Sequence, residues 1–83
     1  MEIIVRTASQ LGTAVRRNRR AHAMTQGALG QKMQARQATI SKLEAGEPYT
    51  QLQTLMDALA ALDLELVIRP RSTVTAEEIE NLF

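Results

Sequence analysis

The sequence predicts a mainly α fold, four to five short helices followed by one C-terminal β-strand, and three observations carry that expectation. Apolar residues recur at three- and four-residue steps in consecutive segments of the chain. Threonines stand at helix-start spacing before three of those segments, at Thr7, Thr25 and Thr50. Beyond Asp63 the helical spacing gives way to a short run with β-branched residues at its centre, stopped by Pro70.

Each element follows from local chemistry. Thr7 and Gln10 have capping-box spacing, so a first helix is expected from about Ala8 to His22, with Ala8, Leu11 and Val15 on one face. Thr25 reads as the N-cap of a second helix ending near Met33, with Leu29 and Met33 turned inward. A third should start near Arg36 or Gln37 and run to about Leu43. There Ile40 and Leu43 face in, and Gln37, Ala38, Ser41 and Lys42 face out, before Gly46 and Pro48 end it. Thr50 and Gln53 repeat the capping-box spacing, and Leu52, Leu55, Met56, Leu59 and Leu62 give a fourth helix its apolar stripe, the expected main contributor to the core. The strand covers Leu64 to Arg69. An unpaired strand edge exposes its N–H and C=O groups, so this one pairs either with Ile3, Ile4 and Val5 of its own chain or with its copy in a second subunit.

Length favours the second subunit. An 83-residue chain makes one domain and buries a modest fraction of its surface. With no cysteine there is no disulfide to reinforce it, and a lone His22 leaves no cluster for a zinc ion, so neither metal nor cofactor is expected. No apolar run approaches the ~20 residues of a membrane span. The start of the chain lacks a basic segment followed by a long apolar one, and a cytoplasmic location is expected. Catalysis is not expected either: His22 sits at a helix end among arginines, and no carboxylate pairs with a nucleophile at a recognisable spacing.

Charge is distributed unevenly. Net charge is +1, yet residues 1–42 hold eight basic side chains and one acidic, whereas residues 43–83 hold two basic and eight acidic. The first half suits a polyanion. Arg16, Arg17, Arg19 and Arg20 can equally be a solvated helix face, and their position relative to a motif has to decide.

That motif is residues 25–46, two short helices joined by a tight turn. Such a unit can lay its second helix in the major groove of DNA, where base edges display distinguishing donors, acceptors and thymine methyls. Gln37 can bond bidentately to adenine, and Arg36 and Lys42 can donate to guanine or phosphate. The Ala38 methyl can touch thymine, and Thr39 and Ser41 can donate to phosphate or base. Thr25 and Gln26 stand at a helix N-terminus, where a phosphate is favoured.

The Thr-Gln opening, the Gln-Ala-Thr-Ile-Ser segment and the Leu-Glu-Ala-Gly exit resemble the lambdoid-repressor or Xre-like helix-turn-helix family, over about Leu11 to Leu62. The resemblance implies a lambda-repressor-like fold in which Gln26 contacts phosphate and buttresses Gln37, and Ala38 and Lys42 reach bases. It also implies that Arg19 pairs with Glu44 inside the domain, leaving Arg16, Arg17 and Arg20 for phosphates. Three positions depart from the family pattern: Ala23 and Gln34 stand where turn glycines are usual, and Asn18 where an aliphatic residue is common.

The fourth helix followed by Leu-Glu-Leu-Val-Ile-Arg-Pro is similar to HipB-type antitoxins and extends the resemblance to about Arg71. It implies a dimer joined through Leu64, Leu66, Val67, Ile68 and Arg69, binding to operator DNA, and restraint of a HipA-like serine/threonine kinase toxin. A stand-alone Xre-family repressor without a toxin is the alternative. Residues 1–71 then form the DNA-binding and dimerisation domain and residues 72–83 a tail. Thr75 and Glu78 have capping-box spacing there, and Ile79, Leu82 and Phe83 can share a helical face for the toxin; the other reading is a frayed terminus.

Overall fold

The structure, a computed structural model, describes residues 2–71. These form four α-helices: α1 Ala8–Ala21, α2 Gln26–Met33, α3 Gln37–Glu44 and α4 Leu52–Ala61. Thr7 caps α1, its hydroxyl accepting from the Gln10 N–H at 3.0 Å. The Gln10 side chain accepts in return from the Arg6 N–H at 2.7 Å, one residue before the cap. Thr25 caps α2, accepting from the Ala28 N–H at 3.0 Å. At α4 the expected threonine cap does not form: the N-cap is Gln51, and the Thr50 hydroxyl donates to the Glu47 carbonyl at 3.1 Å. A threonine hydroxyl can close a local turn instead of starting a helix, and the turn at Pro48 takes this one.

All four helices end alike. The residue beyond the last turn adopts the left-handed conformation: Ala23 (φ 55°), Gln34 (φ 57°), Gly46 (φ 79°) and Asp63 (φ 58°). Each donates its N–H three residues back, and the next residue donates five residues back, as in Ala35 N–H to the Gly30 carbonyl at 2.7 Å and Leu64 N–H to Leu59 at 2.7 Å. This is the Schellman arrangement, which satisfies carbonyls that the helix leaves open. Only Gly46 adopts it without a Cβ penalty; the other three each cost about 1–2 kcal/mol.

The core draws on every helix: Val15 of α1, Leu29 of α2, Ile40 and Leu43 of α3, Ala58 of α4, and Leu62 just beyond it. The α4 stripe is thus rotated from the expected one. Ala58, Leu59 and Leu62 are buried and Leu55 is half-buried, but Leu52 and Met56 are 69% and 41% exposed. Small Ala58 lies on the inward face, where it admits close packing, and Leu52 and Met56 fall to the flank. On α1 the inward face likewise shifts: Ala8 is exposed, and Gly12, Val15 and Arg19 are buried. A Cβ on Gly12 would stand 2.7 Å from the Leu43 carbonyl oxygen and collide with that of Glu44, so α1 and α3 cross backbone to backbone at this glycine.

Residues 64–71 carry no regular secondary structure, and no backbone hydrogen bond joins residues 64–69 to residues 3–5. The expected strand is therefore not formed within the single chain, since a strand exists only through its partner. In place of a backbone ladder with Ile3, Ile4 and Val5, Arg69 Nη1 meets Glu2 Oε2 at 3.2 Å. The tail, with Ile79, Leu82 and Phe83, lies outside the described residues.

Candidate nucleic-acid interface

The exposed face of α3 is set by its two apolar anchors. Ile40 and Leu43 are buried, and helical spacing then turns Gln37, Ala38, Ser41 and Lys42 outward together, with Thr39 half-buried beside them. Arg36 is the N-cap of α3 and is exposed, with no side-chain cap bond. The α2–α3 turn, Gln34 to Arg36, is fixed by the left-handed Gln34. A Cβ on Gly30 would stand 2.7 Å from the Ala35 carbonyl oxygen, so the turn folds tightly over the end of α2.

One carboxylate ties three helices together. Glu44, the last residue of α3, accepts from Arg19 Nε of α1 at 2.6 Å, from Arg19 Nη2 at 3.0 Å and from Gln26 Nε2 of α2 at 3.2 Å. Arg19 also donates from Nη1 to the Met24 carbonyl at 2.8 Å, so the guanidinium braces the α1–α2 turn as well. The two charged side chains are 9% and 3% exposed. Burial pushes the Glu44 carboxyl up, but hydrogen bonds from Arg19 and Gln26 and the charges of Arg19 and Arg16 outweigh it, and its pKa lies below the ordinary value. The hydrogen bond to Glu44 in turn holds Arg19 above its ordinary value.

The remaining candidates divide by position. Arg16, Arg17 and Arg20 are exposed on α1, and none of them, nor Arg36 or Lys42, makes an ion pair among the described residues. Helical spacing sets Arg16 and Arg20 on one side of α1 and turns Arg17 opposite Val15 and Arg19, away from α3. The Thr25 hydroxyl is engaged in its helix cap. Gln26 is half-buried and bonds Glu44, rather than Gln37 as the resemblance implies. Two features were outside the reach of sequence reasoning: this Gln26 bond, which depends on the angle between α2 and α3, and the backbone crossing at Gly12, for which the only signal was a glycine inside a helix. Asn18, at the third departure, returns its amide to the Ala14 carbonyl at 2.8 Å and so satisfies itself within α1.

A four-helix domain with a buried Arg–Glu brace and a short, outward-facing helix after a tight turn is a helix-turn-helix protein of the lambda-repressor-like class. No protein-family model and no curated protein matches the sequence. Solved structures do. The HipB–O4 20mer complex is similar at 28% identity with a TM-score of 0.80, covering 86% of this chain and 100% of that one. The HipA–HipB–O2–O3 complex is similar at 28% identity with a TM-score of 0.79, over 86% and 100%. The HipB–O1–O2 complex follows at 29% and 0.77, over 82% and 99%. The chain shares the fold of these HipB structures over nearly its whole length, and the resemblance read from its residues is borne out.

Proposed function

We propose that this protein is a sequence-specific DNA-binding antitoxin that represses its own toxin–antitoxin operon as a dimer and binds a HipA-like serine/threonine kinase toxin. One observation carries the reading: Gln37, Ala38, Ser41 and Lys42 stand together on the exposed face of α3, while the other end of that helix is clamped by Glu44. The HipB relatives support it, being found in complexes named with O4 and with HipA and O2–O3. In this reading Gln37 reads adenine, Ala38 meets a thymine methyl, and Arg36, Ser41 and Lys42 divide between base edges and phosphate, with Thr39 at the margin. Arg16 and Arg20 bind phosphate beside the α2 N-terminus formed by Thr25 and Gln26, and Arg17 acts only at longer range.

Two subunits joined through Leu64, Leu66, Val67, Ile68 and Arg69 would set their α3 helices in successive major grooves, ~34–36 Å apart, on a near-palindromic operator. Promoter occlusion then gives repression. The toxin contact is assigned to the tail, at Ile79, Leu82 and Phe83.

The test is a comparison of variants on operator and unrelated duplexes across a salt series. Gln37→Ala is expected to lose about 1–3 kcal/mol at one base pair and relax discrimination there, whereas Arg16→Ala and Arg20→Ala weaken all duplexes alike and each reduce the salt slope by about 1. Equal loss of discrimination from both kinds of change would refute the assignment. Val67→Pro removes a backbone donor and should abolish dimers and operator affinity together; a fully dimeric variant would place the interface elsewhere. Co-purification with a kinase-like product of the adjacent gene tests the toxin, and its failure leaves a stand-alone repressor.

A further inference from the structure

Five of the eight large apolar side chains exposed among the described residues lie on the two terminal segments: Ile3, Ile4, Leu66, Val67 and Ile68. The Glu2–Arg69 contact at 3.2 Å joins those segments at their ends and is met by the register that sets the two residues opposite each other. With Glu2 opposite Arg69 and the segments antiparallel, Ile3 falls opposite Ile68, Ile4 opposite Val67, Val5 opposite Leu66 and Arg6 opposite Glu65. Opposite charges close both ends of the ladder and aliphatic pairs fill it. Alternation then sends Ile3, Val5, Leu64, Leu66 and Ile68 to one face. On that face Val5 and Leu64 are half-buried and Leu64 packs against the core, whereas Ile68, at its far end, is 91% exposed in the single chain. A parallel arrangement would match Ile3 with Pro70 and leave the aliphatic run without partners.

The same residues are complementary to their own copy. Placed antiparallel to itself about Val67, the segment Glu65–Arg69 sets Glu65 opposite the partner's Arg69 and Leu66 opposite the partner's Ile68. We propose, building on the dimer reading above, that the interface is a four-stranded antiparallel sheet. Its two inner strands are residues 64–69 of each subunit, and its two outer strands are residues 2–6 of each. The outermost rows then read Arg6, Glu65, the partner's Arg69 and the partner's Glu2, with charges alternating across all four strands. The three rows between are wholly aliphatic.

Two considerations select the second copy as the occupant. A two-stranded ribbon is marginal in water, which is why the single chain makes the Glu2–Arg69 contact without the backbone ladder; four strands with an apolar face are self-supporting. The added strand also covers an edge that would otherwise stay open.

The chain has no cysteine, so engineered pairs report without background. Ile3→Cys with Ile68→Cys, oxidised in the intact dimer, is expected to give one disulfide within each chain by mass spectrometry. Ile4→Cys with Ile68→Cys, which places the thiols on opposite faces, is expected to give none. Deleting residues 2–5 keeps Arg6 and the Thr7 cap, and should weaken the dimer by about ten-fold or more in sedimentation equilibrium, the loss expected when one aliphatic side chain per subunit leaves an interface. Circular dichroism checks that the helices persist. A dimeric parent whose truncated form associates within two-fold of it, or a disulfide in the slipped pair alone, overturns the four-stranded order and leaves the dimer standing. A monomeric parent overturns both.

Discussion

Replacing Glu44 with glutamine tests the central brace directly. The carboxylate is 3% exposed and accepts three hydrogen bonds, two of them from the Arg19 guanidinium. Removing one member of such a pair leaves the other charge buried without compensation, at a cost of about 3–5 kcal/mol. The amide keeps one acceptor oxygen for Arg19 but turns an N–H₂ toward the remaining donors, so the lower end, about 3 kcal/mol, is expected. For a chain of this length that is a quarter to most of the total stability, and it should lower the melting temperature by about 12–24 °C. The pH dependence gives a second handle. The folded pKa of Glu44 lies below its unfolded value of about 4.3, so its contribution is complete above that value and is lost as pH falls through the folded pKa. Thermal melts followed by circular dichroism should therefore show a wide gap between parent and variant near neutrality that narrows in acid. A variant melting within about 4 °C of the parent at neutral pH, or a gap that is constant into acid, would refute the reasoning.

Other perturbations follow from the backbone. Ala23→Gly and Gln34→Gly relieve left-handed strain at φ 55° and 57°, and each should raise stability by up to about 1 kcal/mol in urea titrations; a loss in either would mean that the side chain, not the backbone, governs that turn. Gly12→Ala pushes a methyl into the carbonyls of Leu43 and Glu44, and should cost about 1–3 kcal/mol and, by tilting α3, weaken the operator binding proposed above, with unaltered denaturation midpoints refuting the close crossing.

What could be read from the sequence was whatever local chemistry decides. The four helices were legible because caps at Thr7 and Thr25 and apolar spacing act within a turn or two of the chain. The phase of α4 was not, because Leu52 and Met56 fit a stripe as well as Ala58 does, and only the neighbouring helices choose between them. Thr50 was ambiguous for the same reason: a hydroxyl near a proline turn has two equally local partners. The outward side chains of α3 followed from Ile40 and Leu43 alone. The bond from Gln26 to Glu44 spans 18 residues and depends on a crossing angle that no spacing encodes.

The two ends of α3 are held by different means, and this bears on how the helix can work. At its C-terminal end Glu44 is fixed to α1 by Arg19 and to α2 by Gln26, and Gly12 lets the α1 backbone rest on the carbonyls of Leu43 and Glu44. At its N-terminal end, where Gln37 and Ala38 stand, α3 is held by packing of the buried Ile40 and by the three-residue turn after Met33 that folds over Gly30, with an N-cap that makes no side-chain bond. A buried ion pair contributes little net stability compared with an apolar isostere, but it is strict about geometry, since a misplaced charge is penalised far more than a misplaced methyl. The pair therefore fixes where α3 leaves the domain, while the opposite end, bearing the side chains proposed to meet base edges, is secured by apolar packing and the turn rather than by charge. The strained, non-glycine turn at Gln34 sits at that end, three residues before Gln37, so a change in the turn acts on Gln37 directly, while Glu44 is held by its own partners.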